Sequence, residues 1–128
     1  MSYYLSKIVA MDFNDAVSKV KETLAREGFG VLTDIDVQAT LKAKLGAEYP
    51  AYRILGACNP ALAHAALQLE SKLGVLLPCN VVVRQSESKR VEIAAVDPVS
   101  SMERTGNSQL TGLALEVRER LQRAVEAV

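Results

Sequence analysis

The chain has 128 residues, of which 49% are hydrophobic and 23% charged, a composition typical of one globular domain and not of a disordered segment. Fifteen basic and fifteen acidic residues give a net charge of zero, so the overall balance offers no general attraction for nucleic acid or an anionic membrane. No stretch approaches the ~18 consecutive apolar residues of a membrane span, and the first residues do not form a secretory signal. We expect a single domain over 1–128, a cytoplasmic location, and neither nucleic acid nor membrane as a partner.

The first part of the sequence predicts two strands, each followed by a helix. Aromatic and β-branched residues predict strands over Tyr3–Ala10 and Phe29–Ile35. Asp12 is placed to cap the first helix and Gly28 to end it, while Asp36 is placed to cap a shorter second helix. The apolar positions at helical spacing are Phe13, Ala16, Val17, Val20 and Leu24 in the first helix, and Val37, Leu41 and Leu45 in the second.

The second part of the sequence predicts three further strands and two helices. Asn59-Pro60 is an N-cap residue followed by proline at the first helical position, a pair typical of a helix start. Pro78 interrupts any strand before it, and the polar Ser86–Lys89 predicts the turn of a hairpin. The predicted elements are a strand over Tyr52–Ala57, a helix from Asn59 to about Leu73, strands over Asn80–Arg84 and Val91–Val96, a polar stretch over Ser100–Ser108, and a helix from Gln109 to Ala127.

The predicted order of elements is βαβ(α)βαββα, in which a hairpin follows strand–helix–strand units. We expect an α+β domain with an antiparallel or mixed sheet of about five strands and with helices mainly on one face. The other face would then need a cover, and in a chain this apolar a second copy is the expected cover. The sequence therefore predicts a homodimer.

The junction between the third strand and the following helix carries the first candidate site. Cys58 precedes the predicted helix start, where free backbone N–H groups favour anions and lower the pKa of a nearby thiol. Cys58 is therefore a candidate nucleophile and, with Asn59, a candidate contact for a small anionic ligand. The alternative is that Asn59 only caps the helix and that Cys58 is a small buried hydrophobic residue.

A second Cys-Asn pair, Cys79-Asn80, stands at the start of the fourth strand and joins the candidate ligand contacts. If the intervening helix makes the third and fourth strands parallel, Cys58 and Cys79 lie toward opposite ends of the sheet. Their Cα atoms would then exceed the ~7 Å limit of a disulfide, which disfavours a redox pair within one chain. Two cysteines and one histidine cannot make a closed four-ligand zinc site, so we expect no metal and no other cofactor.

A polar run near the end of the second strand carries the remaining candidates. Thr33 and Lys42 are able to hold an anion through a hydroxyl and an ammonium group, and Asp34 is a candidate base. The alternative is that these side chains simply face water, as most charged residues do. His64 lies off the apolar stripe of its helix, and we expect it to face solvent.

Two short motifs carry a family resemblance. The stretches ILGACNP (54–60) and LPCNVVV (77–83), together with GFGVLTDIDVQATLKAKLG (28–46) and the strand ending in Asp97-Pro98, resemble the bacterial and archaeal family of domains of unknown function numbered 302. The resemblance covers nearly the whole chain. It implies a small α+β domain that associates as a dimer, and it implies no catalytic residue.

The sequence favours a homodimeric module that binds a small ligand, or mediates an interaction, near Cys58-Asn59-Pro60. The alternative is a thiol- or carboxylate-dependent enzyme that uses Cys58 or Asp34. The sequence lacks a nucleotide-binding glycine motif and a serine-hydrolase motif, which favours the binding module.

Overall fold

The computed structural model describes residues 2–128 of the chain. The strands are β1 (Tyr4–Val9), β2 (Gly30–Asp36), β3 (Tyr52–Cys58), β4 (Cys79–Glu87) and β5 (Arg90–Val96). The helices are α1 (Phe13–Arg26), α2 (Val37–Leu45), α3 (Pro60–Leu69), α4 (Pro98–Met102) and α5 (Thr111–Glu126). Short 3₁₀ turns lie at Leu73–Leu76, Glu103–Thr105 and Ser108–Leu110.

The five strands form one sheet in the order β1-β5-β4-β3-β2, and every neighbouring pair is antiparallel. β1 and β2 lie at opposite edges, so α1, which connects them, crosses the sheet from one edge to the other. β4 and β5 form the predicted hairpin, with Lys89 in the left-handed region at its turn (φ 62°). The predicted α+β class and five-stranded sheet are confirmed.

The main core lies between one face of the sheet and helices α1 and α5. The apolar stripes of α1 and α5, which the sequence predicts, form the helical side of this core. Helical spacing directs these side chains to one side of each helix. Its large members that are almost completely buried are Val20 and Leu24 from α1, Leu55, Val81, Val83, Val91 and Ile93 from the sheet, and Leu121 from α5. A second cluster of Ala66, Leu73, Met102, Leu110 and Ala114 fixes α3 and the 3₁₀ turns beside this core.

The helix starts follow the predicted capping residues. The carboxylate of Asp12 accepts from the backbone N–H groups of Asn14 and Asp15, and that of Asp36 accepts from Ala39. Gly28 follows α1 with a positive φ of 86°, a conformation that glycine adopts without steric cost. These ends are set by local chemistry, which explains why the sequence predicts them.

The structure corrects the predicted extent of α3. This helix ends at Leu69 and not near Leu73, and a separate 3₁₀ turn covers Leu73–Leu76. The side-chain amide of Asn107 donates to the carbonyl of Leu69 at 2.9 Å and to the Glu70 carboxylate at 3.4 Å. A partner 38 residues away in sequence thus caps the end of the helix.

Three other predictions need correction. Asp97 caps a short helix, α4, which was not predicted and which overlaps the start of the polar Ser100–Ser108 stretch. The Asp97 carboxylate also accepts from Arg118 at 3.1 Å. β4 runs over Cys79–Glu87, longer than the predicted Asn80–Arg84, because its pairing with β5 continues past Arg84 to the Glu87–Arg90 pair. The apolar stripe of α2 does not face a core: no residue of α2 is buried, and Leu45 is 74% exposed.

Candidate functional site: the open face of the sheet

The sheet face opposite α1 and α5, called the open face here, is built from rows of side chains that run across the strands. The first row is Ile8, Glu92, Arg84 and Tyr52, and the second is Ser6, Ala94, Val82, Ile54 and Ile35. The third row includes Asn80, Gly56 and Thr33, with Tyr4 and Val96 on β1 and β5. Because alternate residues of a strand share one face, these rows follow from the register. Short side chains at the centre of the second row leave the face hollow.

A cavity of about 580 Å³ occupies this hollow. The short apolar side chains of Val82 and Ala94 line it, and Tyr4 and Tyr52 contribute aromatic rings. The 3₁₀ turn after α3 adds Val75, which is 86% exposed. The size is in the range of small-molecule sites, which are mostly apolar with a few polar groups.

Arg84 and Glu92 provide the charged groups of the cavity. They lie opposite each other on β4 and β5, and Arg84 Nε donates to Glu92 Oε1 at 2.7 Å. Their side chains are 43% and 19% exposed. Among residues 2–128, the two terminal nitrogens of Arg84 donate to no protein oxygen, so their hydrogen atoms remain available to a ligand.

The strand-to-helix junction predicted as the site holds a much smaller cavity. Asn59 caps α3, with Oδ1 accepting from the backbone N–H of Leu62 at 3.2 Å. Cys58, Asn59 and Cys79 line an apolar cavity of about 40 Å³ beside Leu62. This volume suits about one water-sized group. The junction therefore does not offer space for an organic ligand in the structure described over 2–128.

Replacing the cap tests its structural role. We expect Asn59→Ala to lower the free energy of unfolding by about 1 kcal/mol, because the backbone N–H of Leu62 loses its acceptor. Asn59→Asp should be nearly neutral, since aspartate caps equally well and suits the positive end of the helix dipole. Chemical denaturation of both variants measures these changes, and an Asn59→Asp loss as large as that of Asn59→Ala would contradict capping as the role of this side chain.

The two cysteines lie at the same end of the sheet, not at opposite ends. β3 and β4 are antiparallel, and Ala57 pairs with Cys79, which makes Cys58 and Cys79 near neighbours. The expectation based on parallel strands was wrong, because the chain returns through α3 and the following turn into an antiparallel neighbour. Burial raises the pKa of the Cys79 thiol to about 11, so this thiol is protonated at neutral pH.

Asp34 lies in an ion-pair cluster. Its carboxylate accepts from Arg53 Nε at 2.6 Å and from Lys21 Nζ at 2.9 Å. The hydrogen bond from Arg53 is the main cause that lowers the pKa of Asp34 from 3.8 to about 2. A carboxylate stabilised in this way is a weak base, so the geometry favours a structural role.

The lowered pKa of Asp34 predicts a pH dependence of stability. Because the pKa in the folded protein is below its value of 3.8 in the unfolded chain, the stabilisation is complete above about pH 4 and is lost as the pH falls toward 2. We expect Asp34→Asn to cost about 1–2 kcal/mol at pH 7, a value reduced for partial exposure. Urea denaturation should show the two proteins converging near pH 2, and a constant gap between pH 7 and pH 2 would refute this assignment.

The other candidates lie apart from each other. Asn80 lines the open-face cavity, and Thr33 packs on Gly56 in the neighbouring part of the third row. Lys42 lies on α2, 3.5 Å from the Glu48 carboxylate, and lines neither cavity described above. His64 is exposed, as expected, with Nε2 at 3.1 Å from Gln68. The predicted site residues therefore lie in separate parts of the structure and do not form one site.

Comparison with known proteins identifies the family. The sequence profile described as "Domain of unknown function DUF302" matches residues 5–128. The chain belongs to the DUF302 family. A solved structure described as "Crystal structure of uncharacterized conserved protein DUF302 from Bacillus stearothermophilus" is similar, with a TM-score of 0.92 and 27% identity over 99% of this chain and 98% of that chain. A search of curated proteins finds no match.

Apart from Asn80, the residues that line the cavity of this DUF302 domain were not predicted as site residues from the sequence. Tyr52, Arg84 and Glu92 stand on three strands and become neighbours only through the register. The alternation along β4 and β5 could have indicated this face. Buried residues alternate there with Val82 and Arg84 on β4 and with Glu92 and Ala94 on β5. Within residues 2–128, no three His, Cys, Asp or Glu side chains group as metal ligands would, and no helix is long and apolar enough to span a bilayer.

Proposed function

We propose that this DUF302 domain is a small-molecule-binding module whose site is the open-face cavity. The observation that carries the proposal is the 580 Å³ hollow over Val82 and Ala94, lined also by tyrosines and by the Arg84–Glu92 pair. An apolar floor gives binding free energy, and a few polar groups fix the orientation of the ligand. The proposed site is therefore on the open face of the sheet and not at the Cys58-Asn59 junction predicted from the sequence.

A cavity-filling substitution tests the site with a neutral planar probe, β-naphthamide. We expect the probe to shift the NMR signals of the open face, and Ala94→Trp to abolish binding by occupying the hollow. Leu115→Trp is the matched control, because Leu115 is exposed, lies on α5 and does not line the cavity. Binding of β-naphthamide that survives Ala94→Trp, or a wild-type protein that binds neither this amide nor the corresponding carboxylate, β-naphthoate, would overturn the proposal.

The thiol- or carboxylate-dependent enzyme is less well supported. The raised pKa of Cys79 keeps this thiol protonated, and Asp34 is paired with Arg53 and Lys21. Titration with a thiol reagent separates the two functions: a Cys58 thiol that reacts far faster than a free cysteine would favour the enzyme. We also propose a cytoplasmic location, which agrees with the free thiols of Cys58 and Cys79.

We further propose that two copies associate through their open faces and enclose the ligand. Two large apolar side chains flank the cavity on the outer strands: Ile8 on β1 is 52% exposed, and Ile35 on β2 is 49% exposed. Helices α1 and α5 already cover the other face of the sheet. A net charge of zero means that two copies do not repel each other strongly.

Sedimentation velocity tests the homodimer. We expect the wild-type protein to sediment as a dimer at micromolar concentration, and Ile8→Lys to sediment as a monomer because a charge would enter the interface. Leu115→Lys is the control, since Leu115 is similarly exposed (47%) but lies on α5. A monomeric wild-type protein, or equal effects of both substitutions, would refute association through the open face.

A further inference from the structure

The guanidinium group of Arg84 is partly engaged and partly free. Its Nε donates to Glu92 at 2.7 Å, while its two terminal nitrogens have no protein acceptor among residues 2–128. These two nitrogens form the end fork of the guanidinium group, which matches the two oxygens of a carboxylate in a bidentate pair. The Glu92 contact restrains the arginine, so less conformational entropy is lost when an anion binds.

An apolar surface lies directly beside this cation. Arg84 and Val82 are two residues apart on β4 and point to the same face, as do Glu92 and Ala94 on β5. Tyr52 lies opposite Arg84 on β3, and its ring also lines the cavity. A flat apolar body next to a negatively charged group fits this arrangement of a cationic end and an apolar floor.

The charge balance limits the ligand to a single negative charge. Glu92 neutralises Arg84 within the cavity, and its side chain is the less exposed of the two. A dianion such as phosphate would face the Glu92 carboxylate after pairing with Arg84. A monocarboxylate needs only the end fork of Arg84.

We propose that the open-face cavity binds planar apolar carboxylic acids, with the carboxylate on the terminal nitrogens of Arg84 and the apolar body over Val82 and Ala94. This inference rests on the proposed function, since it names the ligand class of the same site. The proposed role is binding only, with no cofactor and no chemical step.

A matched pair of probes tests the ligand class. β-Naphthoate and β-naphthamide have nearly the same shape, but only the first is charged. We expect the wild-type protein to bind the carboxylate at least about tenfold more tightly than the amide, because charge-assisted hydrogen bonds to Arg84 are made only by the carboxylate. Isothermal titration or NMR titration measures both affinities.

Substitutions of arginine residues test whether Arg84 causes the preference for the carboxylate probe over the amide probe. Arg84→Met should reduce the ratio of the two affinities to near one, and Arg84→Lys should retain part of it because the charge remains. Arg90→Met is the matched control: Arg90 is an exposed arginine on β5 that does not line the cavity, and its loss should leave the ratio unchanged. The comparison of the two probes on the wild-type protein remains decisive even if one variant does not fold.

The outcomes separate this inference from the proposed function. Equal affinities of the two probes on the wild-type protein, both abolished by Ala94→Trp, would overturn the carboxylate class and leave the cavity as the site. A preference that survives Arg84→Met would also overturn it. Binding of either probe that Ala94→Trp does not change would overturn the site itself.

Discussion

Truncation of the chain after Glu103 is expected to give protein without a cooperative unfolding transition. The truncation removes α5 and the preceding turn, which bury Leu110, Val117, Leu121 and Val125 at 7% exposure or less. Each such side chain contributes about 1.5–3 kcal/mol, so their sum is comparable with the whole stability of about 5–15 kcal/mol of a typical domain. Thermal unfolding followed by circular dichroism measures the result.

Two point substitutions in the same helix provide the controls for the truncation. Leu121→Ala should lower the free energy of unfolding by about 2–5 kcal/mol, because Leu121 is completely buried. Leu115→Ala should change it by less than about 0.5 kcal/mol, since Leu115 is 47% exposed. A truncated protein that still melts cooperatively would show that α5 is dispensable for the core.

Gly56→Ala is expected to destabilise the protein by about 1–3 kcal/mol, although Gly56 is an ordinary strand residue of β3. A Cβ atom at this position would overlap the Thr33 hydroxyl on β2 and lie 2.8 Å from Cγ of the Pro78 ring. The rigid ring cannot move aside without shifting the start of β4. Chemical denaturation of the purified variant measures the loss.

Gly112 supplies the matched control for this substitution. It lies in the first turn of α5, and a Cβ atom there would meet nothing within 4 Å. Gly112→Ala should therefore leave stability unchanged or raise it by up to about 1 kcal/mol, because alanine favours the helix. The double variant Thr33→Ala with Gly56→Ala should be less destabilised than Gly56→Ala alone. Equal stability of Gly56→Ala and the wild type would contradict the close approach seen here.

Gly56 connects the packing of the sheet with the candidate site. It lies in the third row of the open face next to Asn80, which lines the cavity, and Pro78 also lines that cavity. A larger side chain at Gly56 would therefore disturb one end of the site as well as the sheet. We expect Gly56→Ala to weaken β-naphthamide binding in addition to its effect on stability.

Helix starts depend on neighbouring residues, whereas some helix ends depend on distant segments of the chain. The Asp12, Asp36 and Asn59 caps are confirmed, because a cap depends on residues within one helical turn. The predicted end of α3 was wrong, because the Asn107 amide that caps this helix comes from a distant segment of the chain. The same division holds for the site: Asn59 and Cys58 were placed correctly along the chain, but the space around them proved small.

The sequence by itself determined the amphipathic helices α1 and α5, most strand positions and the helix starts, because these depend on period and on capping over a few residues. Only the tertiary structure decided the strand order, the antiparallel pairing of β3 with β4 and the register of each pair. Register arises from pairing between distant segments, and a shift by one residue would turn every side chain to the other face. It is this register that brings Tyr52, Arg84 and Glu92 into one row beside the cavity and Cys79 opposite Ala57.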